Sequence, residues 1–283
     1  MRRTPILVIH GGTGARPDRP HLARIRQSLR AVARNAYDYL GTHSALEAAV
    51  WAVRLLEDGP LFNAGTGSML QADGRARMSA SVMDGASRQF AAVLNIERVR
   101  NPILVAHRLL REDDRVLAGV GARRFARAHG CADWNPVTPQ RLRQWRARRH
   151  DHTSQGTVGA VALDREGWVA AATSTGGRGF ERVGRVSDSG LPVGNFATGR
   201  VAISCTGIGE DIIDEGLAVR LAQQVDDGDT LRRAFARTFR QLRARHRRAG
   251  AIGVDGRGRV SWATTQPILF ALHQTAHRQI ESF

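Results

Sequence analysis

The apolar positions of the chain follow two spacings, which together predict a mixture of strands and helices. Nearly continuous apolar runs predict buried strands at residues 5–10, 90–96, 157–163, 168–173 and 201–205. Apolar residues three and four positions apart predict helices at about 20–40, after Ser44, at about 211–224 and at 230–247. These elements come in blocks rather than in strict alternation, which favours a layered α+β fold over a doubly wound one.

Turn and capping residues divide these elements. Glycine-containing turns are predicted at 11–14, 58–60 and 255–258. Ser44 and Glu47 form a capping-box pattern at the start of the second helix. Asn101 before Pro102 predicts a capped helix with proline in its first turn. Residues 140–149 are compatible with a helix, and residues 150–156 form a polar, loop-like segment.

The charge of the chain is strongly positive, at +16, and it comes entirely from arginine because lysine is absent. The arginines concentrate at 141–149 and 232–248, where they could attract polyanions. Few aromatic residues are interleaved with them, and no finger, RRM or basic-zipper pattern accompanies them. We therefore expect a solvated cationic face and no dedicated nucleic-acid partner.

Other compositional signals favour a soluble globular protein of a reducing compartment. Hydrophobic residues make up 42% of the chain, yet no apolar run is long enough to span a bilayer. The apolar stretch near the N-terminus is too short for a secretory signal, and Cys131 and Cys205 form no disulfide or metal pattern. We expect a cytoplasmic protein with no membrane partner. His150 and His152 are more typical of a polar loop than of a metal site.

The common nucleotide and hydrolase signatures are missing, and short glycine–threonine junctions remain. No P-loop, dinucleotide fingerprint or Gly-x-Ser-x-Gly elbow is present. The junctions lie at 62–68, 156–161, 173–177, 184–189 and 205–210. Taken singly, each is more typical of a turn or of tight packing than of a functional site.

In their order and spacing, these junctions resemble the plant-type (type 2) L-asparaginase and isoaspartyl peptidase family of N-terminal nucleophile hydrolases. The resemblance runs from residues 9–12 to the final hairpin, and its most specific part covers 156–164 and 170–177. It implies an αββα sandwich of four layers and self-cleavage between Gly156 and Thr157. One domain would then consist of two halves, 1–156 and 157–283, and two cleaved copies would associate as (αβ)₂.

The family's nucleophile corresponds to Thr157. A threonine hydroxyl needs an adjacent base, and cleavage would supply one because the freed α-amino group titrates near neutral pH. Gly156 has no side chain, so a strained peptide and a close approach of the hydroxyl are sterically possible. The alternative is an ordinary solvent-exposed threonine at the start of a strand.

The resemblance also implies roles for residues after Thr157. Thr175 matches a second active-site threonine, and Thr206 with the backbone N–H of Gly207 matches the oxyanion hole. Arg185 would bind the substrate α-carboxylate, with a surface ion pair as the alternative, and Asp188 would bind the α-ammonium. Gly207 and Gly209 would line the same substrate site. The implied small-molecule substrate is L-asparagine or a β-aspartyl dipeptide.

No catalytic cofactor is implied, but relatives hold a structural sodium ion in a loop that matches residues 56–66. Oxygen donors suit such a hard cation. The matching backbone carbonyls belong to Leu56, Glu57, Gly59, Phe62, Ala64 and Thr66.

Several positions depart from the family pattern. Serine replaces glycine at 187, so the backbone near Arg185 is expected to differ, and Ser79 replaces aspartate. Asn195-Phe196 and 246–251 also differ from the usual glycine-rich sequences. The choice between asparagine and isoaspartyl dipeptides therefore stays open. The alternatives are a glycosylasparaginase-like hydrolase and a non-catalytic protein of this fold that binds through its arginine-rich surface.

Overall fold

The computed structural model describes residues 3–147 and 156–283. Its strands are β1 (Ile6–Gly14), β2 (Met78–Asp84), β3 (Gln89–Ile96), β4 (Val116–Ala118), β5 (Val158–Leu163), β6 (Val169–Thr175), β7 (Asn195–Ala197), β8 (Val201–Gly207), β9 (Ala249–Asp255), β10 (Val260–Thr264), β11 (Ile268–Gln274) and β12 (Gln279–Glu281). Its helices are α1 (Arg19–Leu40), α2 (Ala45–Asp58), α3 (Pro102–Leu109), α4 (Gly119–Ala128), α5 (Pro139–Arg146), α6 (Gly209–Glu215), α7 (Leu217–Asp226) and α8 (Leu231–Ala244). A 3₁₀ turn covers Asp188–Gly190.

The strands form two sheets. The larger sheet has eight strands in the order β12-β11-β1-β5-β6-β2-β3-β4, and the smaller has four in the order β10-β9-β8-β7. Neighbouring strands pair antiparallel except for the parallel pair β3–β4. Strand β5 lies between β1 and β6, near the middle of the larger sheet.

Alternation along the strands distributes the buried side chains among three hydrophobic clusters. In β5, Ala160 and Ala162 belong to a cluster shared with α1–α4, whereas Val161 and Leu163 belong to a cluster between the two sheets. In β8, Ile203 and similar residues pack against α6–α8. The mixed α+β class predicted from the sequence is confirmed.

The clearest sequence patterns gave accurate helix boundaries. Helix α1 begins one residue before the predicted start, and α2 ends at the predicted Asp58. The predicted capping box is present: Ser44 Oγ accepts from the Glu47 N–H at 3.3 Å, and the Glu47 carboxylate accepts from the Ser44 N–H at 3.0 Å. Both helices bury a stripe of apolar side chains against the larger sheet.

Three local predictions are wrong. The turn expected at 11–14 is part of β1, whose register shifts between His10 and Thr13 while Gly12 adopts a φ of 110°. The single helix expected at about 211–224 is two helices, because Gly216 between them is left-handed with a φ of 55°. Asn101 does not cap α3, since its amide donates to Asp58 Oδ1 at 3.1 Å instead.

The departures expected near the C-terminal hairpin are accommodated in ordinary secondary structure. His246 adopts a left-handed φ of 54° just after α8, and the chain then enters β9 at Ala249. Gly250 pairs there with Thr206, and Ala249 with Gly207.

Ser79, which replaces the family's aspartate, is buried in β2, where its hydroxyl accepts from the Asn95 N–H at 3.2 Å.

No helix in the described ranges is long and apolar enough to cross a membrane. His150 and His152 lie outside the described residues.

Candidate active site

One end of the space between the two sheets is polar instead of apolar. By strand alternation, Thr157, Thr173 and Thr175 project to the same face of the larger sheet as Val161 and Ala171, which lie in the inter-sheet cluster. From the smaller sheet, Ser204 and Thr206 share the face of Ala202. The two sheets therefore bring several hydroxyl groups together in the space between them.

Thr157 immediately precedes β5 and is buried, with 5% of its surface exposed. Its Oγ1 donates to Thr175 Oγ1 at 3.2 Å and lies 3.2 Å from Ser189 Oγ. Thr175 Oγ1 also accepts from the Gly177 N–H at 3.2 Å. The solvent-exposed strand-start alternative is therefore wrong, because this hydroxyl is held from two sides inside the protein.

Thr206 ends in an unpaired hydroxyl beside Gly156. Among the described residues, Thr206 Oγ1 is buried with no hydrogen-bond partner, and a β-carbon at Gly156 would lie 3.5 Å from it. A buried donor without a partner costs about 1–3 kcal/mol, so it suits a group that arrives during a reaction. The next residue, Gly207, adopts a φ of 141° and packs so closely on the Arg248 carbonyl that a side chain would not fit.

Arg185 forms a two-point ion pair with Glu210. Its Nε donates to Glu210 Oε1 and its Nη2 to Oε2, each at 2.8 Å. The arginine side chain is 12% exposed and that of Glu210 is 50% exposed. Hydrogen bonding to Arg185 lowers the pKa of Glu210 to about 2. The guanidinium thus binds a carboxylate in the bidentate geometry that a substrate carboxylate would require. In the structure that carboxylate belongs to Glu210, so Arg185 forms the ion pair that was the alternative to a substrate-binding role.

Asp188 is a fully buried carboxyl group next to this pair. Its Oδ1 accepts from Ser187 Oγ at 2.7 Å, and its Oδ2 has no partner in the described part of the chain. Burial raises its pKa to about 6, although the Ser187 hydroxyl and the nearby Arg185 charge act in the opposite direction. Ser187 adopts a φ of −96° and a ψ of 167°, which are open to any residue, so serine is accommodated here without strain.

Gly209 leaves room for these polar groups at the start of α6. A β-carbon there would lie 2.8 Å from Arg185 Nη2, 2.8 Å from Ser187 Oγ and 2.9 Å from Asp188 Oδ1. All three distances are shorter than normal van der Waals contacts. The absence of a side chain at this position therefore permits the arginine and the aspartate to lie side by side.

A cavity of about 160 Å³ adjoins the nucleophile candidate. Its lining includes Thr157, Thr175, Arg178, Arg185, Gly207 and Gly209. The sequence-predicted residues therefore meet around one space, with two qualifications. Thr206 and Asp188 lie behind the lining, and the Arg185 guanidinium is occupied by Glu210.

A hydrogen-bonded network behind Thr157 was not predicted. His10 Nε2 lies 2.9 Å from Ser204 Oγ, which in turn lies 2.7 Å from Thr173 Oγ1. Burial lowers the pKa of His10 to about 3, so its imidazole is neutral near pH 7. A β-carbon at Gly159 would lie only 2.4 Å from His10 Nε2, which explains glycine at that strand position.

Ser189 and Asn63 are two further residues without a predicted role. Ser189 belongs to the 184–189 junction, but the sequence does not reveal that its hydroxyl reaches Thr157. Asn63 Nδ2 donates to the Gly177 carbonyl at 2.5 Å, and its Oδ1 accepts from the Met69 N–H at 2.8 Å. The Asn-Ala-Gly motif could have indicated such a loop-bridging amide.

The loop after α2 contains several carbonyl groups that lie close to neighbouring backbone atoms. The Glu57 carbonyl accepts from the Thr66 N–H at 2.7 Å, and the Leu56 carbonyl accepts from the Gly59 N–H at 3.3 Å. A β-carbon at Gly67 would lie 2.8 Å from the Pro60 oxygen and 3.0 Å from the Phe62 oxygen. Because a carbonyl oxygen has two lone pairs, these donors fit a hard cation in chemical type. Among the described residues, no group of three or more His, Cys, Asp or Glu side chains could hold a metal.

A buried hydroxyl beside an unpaired donor and a carboxylate-binding arginine suits nucleophilic attack on an amide. The chain belongs to the asparaginase family, whose model, described as "Asparaginase", matches residues 3–282. An isoaspartyl peptidase/L-asparaginase from Synechocystis sp. is 42% identical over 96% of this chain and 88% of its own length. The protein of that name from Nostoc sp. is 44% identical over 94% and 91%, and an isoaspartyl peptidase from Salmonella typhimurium is 38% identical over 90% of each chain.

Proposed function

We propose that this chain cleaves itself before Thr157 and then hydrolyses L-asparagine and β-aspartyl dipeptides with Thr157 as the N-terminal nucleophile. The observation that carries the proposal is the placement of Thr157 Oγ1. It is buried within 3.2 Å of the Thr175 and Ser189 hydroxyls, beside a cavity that Arg185 also lines. The names of the relatives support the same substrates.

Self-cleavage converts the Gly156–Thr157 amide to an ester. Thr157 Oγ1 attacks the Gly156 carbonyl carbon, the C–N bond breaks, and the nitrogen takes up a proton. Breaking the C–N bond frees the α-amino group of Thr157. Water then hydrolyses the ester, which releases the Gly156 carboxylate and restores the Thr157 hydroxyl. The unpaired Thr206 hydroxyl near Gly156 supports this step, because it can donate to the oxyanion that develops on the carbonyl.

In turnover, the α-amino group accepts the proton of Thr157 Oγ1 as the hydroxyl attacks the side-chain carbonyl of the substrate. Thr206 Oγ1 and the Gly207 N–H donate to the oxyanion, and one such donor contributes roughly 3–4 kcal/mol. The leaving amine takes up the proton. Water then hydrolyses the acyl-enzyme ester and releases aspartate.

Recognition of the aspartyl head rests on opposite charges. Arg185 exchanges Glu210 for the substrate α-carboxylate, which can occupy the same two-point geometry. The unpaired Oδ2 of Asp188 accepts from the α-ammonium group. Gly209 keeps the space between these two charges open.

The larger-scale proposals follow from the same family. Three hydrophobic clusters, one on each side of the sheets and one between them, support the four-layer αββα sandwich. We further propose a single domain divided into 1–156 and 157–283, an (αβ)₂ assembly and a cytoplasmic location. Native mass spectrometry of the processed protein tests the assembly. The expected mass corresponds to two copies of each half.

A structural sodium ion is proposed for the carbonyls of Leu56, Glu57, Gly59, Phe62, Ala64 and Thr66. Carbonyl oxygens are the donor type that a hard cation prefers, and the hydrogen bond from the Thr66 N–H to the Glu57 carbonyl brings the two ends of this loop together. The ion would hold the loop that carries Asn63, which in turn contacts Gly177. Replacing sodium by choline at constant ionic strength should lower the melting temperature, and an unchanged temperature would count against the site.

The decisive test of function is an intact-mass spectrum of the wild type, Thr157→Ala and Thr157→Ser. We expect two fragments divided between Gly156 and Thr157 in the wild type, none in Thr157→Ala, and slower cleavage in Thr157→Ser, which keeps a hydroxyl. Assays with asparagine and β-aspartyl-leucine then follow. An uncut wild type would favour the non-catalytic alternative, and release of asparagine-linked sugar alone would favour a glycosylasparaginase-like activity.

A further inference from the structure

The side chain of Arg178 gives the cavity a second positive charge. Arg178 lies three residues after Thr175, between Gly177 and Gly179, which both adopt a positive φ. Its backbone is anchored because its N–H donates to Glu181 Oε1 at 3.2 Å and the preceding carbonyl accepts from Asn63. Its side chain is 53% exposed and lines the same cavity as Thr157 and Arg185.

Two arginines therefore line one small space. Within the described residues, no acidic side chain lines that cavity. The two arginines share Glu210, whose Oε2 lies 3.9 Å from Arg178 Nη1 and which Arg185 already holds by two hydrogen bonds. The cavity thus offers positions for two carboxylates, one at each arginine.

This charge pattern distinguishes the substrates. Asparagine carries one carboxylate, which the proposed function assigns to Arg185. A β-aspartyl dipeptide carries a second, at the C-terminus of its leaving group. The two carboxylates of an extended β-aspartyl dipeptide lie about 7 Å apart by standard bond lengths. Arg178 Nη1 and Arg185 Nη2 lie 3.9 and 2.8 Å from the same oxygen of Glu210, so at most about 7 Å separates the two nitrogens.

We propose that Arg178 binds the C-terminal carboxylate of the leaving group and makes β-aspartyl dipeptides with a free C-terminus the preferred substrates. This inference rests on the proposed function, because it takes Thr157 as nucleophile and Arg185 as the head-group clamp. Arg178 acts on specificity and takes no part in bond making. Glu210, half exposed, swings towards solvent when the substrate enters.

The test compares β-aspartyl-leucine, β-aspartyl-leucinamide and asparagine in the processed wild type, Arg178→Gln, Arg178→Lys and Arg182→Gln. The amide removes only the carboxylate that Arg178 is proposed to bind. Arg182 is an exposed arginine outside the cavity lining, so its variant controls for the loss of one positive charge. Processing and melting temperature establish that each variant is folded.

We expect the wild type to prefer the free acid over the amide by about tenfold in kcat/KM, mainly through KM, since one charge-assisted contact is lost. Arg178→Gln should bring this preference close to one, Arg178→Lys should keep part of it, and Arg182→Gln should keep all of it. A wild-type preference near one, or a preference that survives Arg178→Gln, would overturn the inference while asparagine hydrolysis remained. A processed wild type that hydrolyses none of the three substrates would instead overturn the proposed function, and the inference with it.

Discussion

The hydroxyl oxygens of Thr157 and Ser189 lie 3.2 Å apart, although the two residues are 32 positions apart in sequence. Ser189 is fully buried in the 3₁₀ turn, and its carbonyl accepts from Ser81 Oγ at 2.7 Å. The turn is thereby fixed to β2, and Ser189 is a second hydroxyl neighbour of Thr157 Oγ1, in addition to Thr175. Two fixed neighbours restrict the rotamers of the Thr157 hydroxyl, so that it spends less time in orientations from which it cannot attack.

Replacing Ser189 by alanine should therefore slow both self-cleavage and turnover. We expect about a tenfold loss in kcat with little change in KM, because the hydroxyl positions the nucleophile and does not contact the substrate. Ser87→Ala, which alters an exposed turn, is the matched control. Normal cleavage and kcat in Ser189→Ala would show that Thr175 alone orients Thr157.

Gly209→Ala should weaken substrate binding without unfolding the protein. The new methyl group would crowd Arg185 Nη2 and Asp188 Oδ1, so both charges must shift from their positions. We expect KM to rise at least about tenfold for asparagine, since misplaced charges lose their two-point contact. Gly121→Ala is the control, because a β-carbon at Gly121 meets nothing within 4 Å. An unchanged KM would contradict the assignment of this pair to the head group.

The raised pKa of Asp188 predicts a specific pH dependence. Asp188 must be ionised to bind an ammonium group, so kcat/KM should decline more steeply as the pH falls below about 6. The Ser187 hydroxyl stabilises the ionised form. Ser187→Ala should therefore raise the pKa of Asp188. The acidic decline in kcat/KM should then begin about one pH unit higher. If kcat/KM declines at the same pH in both proteins, the titration of Asp188 is excluded as the cause of the decline.

Burial of neutral His10 predicts a loss of stability in acid. Its folded-state pKa of about 3 lies below the usual 6.5, so the unfolded chain binds the proton first as the pH falls. The stability linked to His10 is fully present above pH 6.5 and is lost progressively towards pH 3. Between pH 6.5 and 4.5 this amounts to about 2 kcal/mol of unfolding free energy.

Urea unfolding of wild type and His10→Gln at several pH values measures this contribution. The variant should be less stable at pH 7 but should lose less stability on acidification. Asp188 has a raised pKa and acts in the opposite sense, but it is present in both proteins. His277→Gln, at an exposed position, should follow the wild type. Parallel curves for wild type and His10→Gln would contradict the assignment to His10.

The sequence predicted those features that are encoded locally or in the spacing of motifs. The ends of α1 and α2 followed from apolar periodicity and from a capping box, both of which act within a few residues. The adjacency of Thr157 and Thr175 was implied by the family resemblance, and antiparallel pairing of β5 with β6 explains it. These features need little knowledge of distant packing.

The features that the sequence did not predict depend on contacts between distant segments. His10 and Ser204 meet across 194 residues because β1 and β8 belong to facing sheets, and no periodicity reports which sheet a strand joins. The break at Gly216 was hidden because the apolar residues on both sides of it continue a helical spacing. In β1, the glycines that suggested a turn instead form a bulge, since β5 and β11 hold the strand on both sides.

The order of strands in the larger sheet determines how the cleaved protein can unfold and refold. Strands β1 and β2 precede Thr157 in the chain, while β5 and β6, which follow it, lie between them and pair with both. After cleavage the two pieces stay interleaved by backbone pairing, so they separate only when the whole sheet opens. The uncut chain refolds as one molecule, but the two pieces must find each other in solution. Self-cleavage therefore makes unfolding effectively irreversible. The lifetime of the folded, cleaved protein then depends on its rate of unfolding.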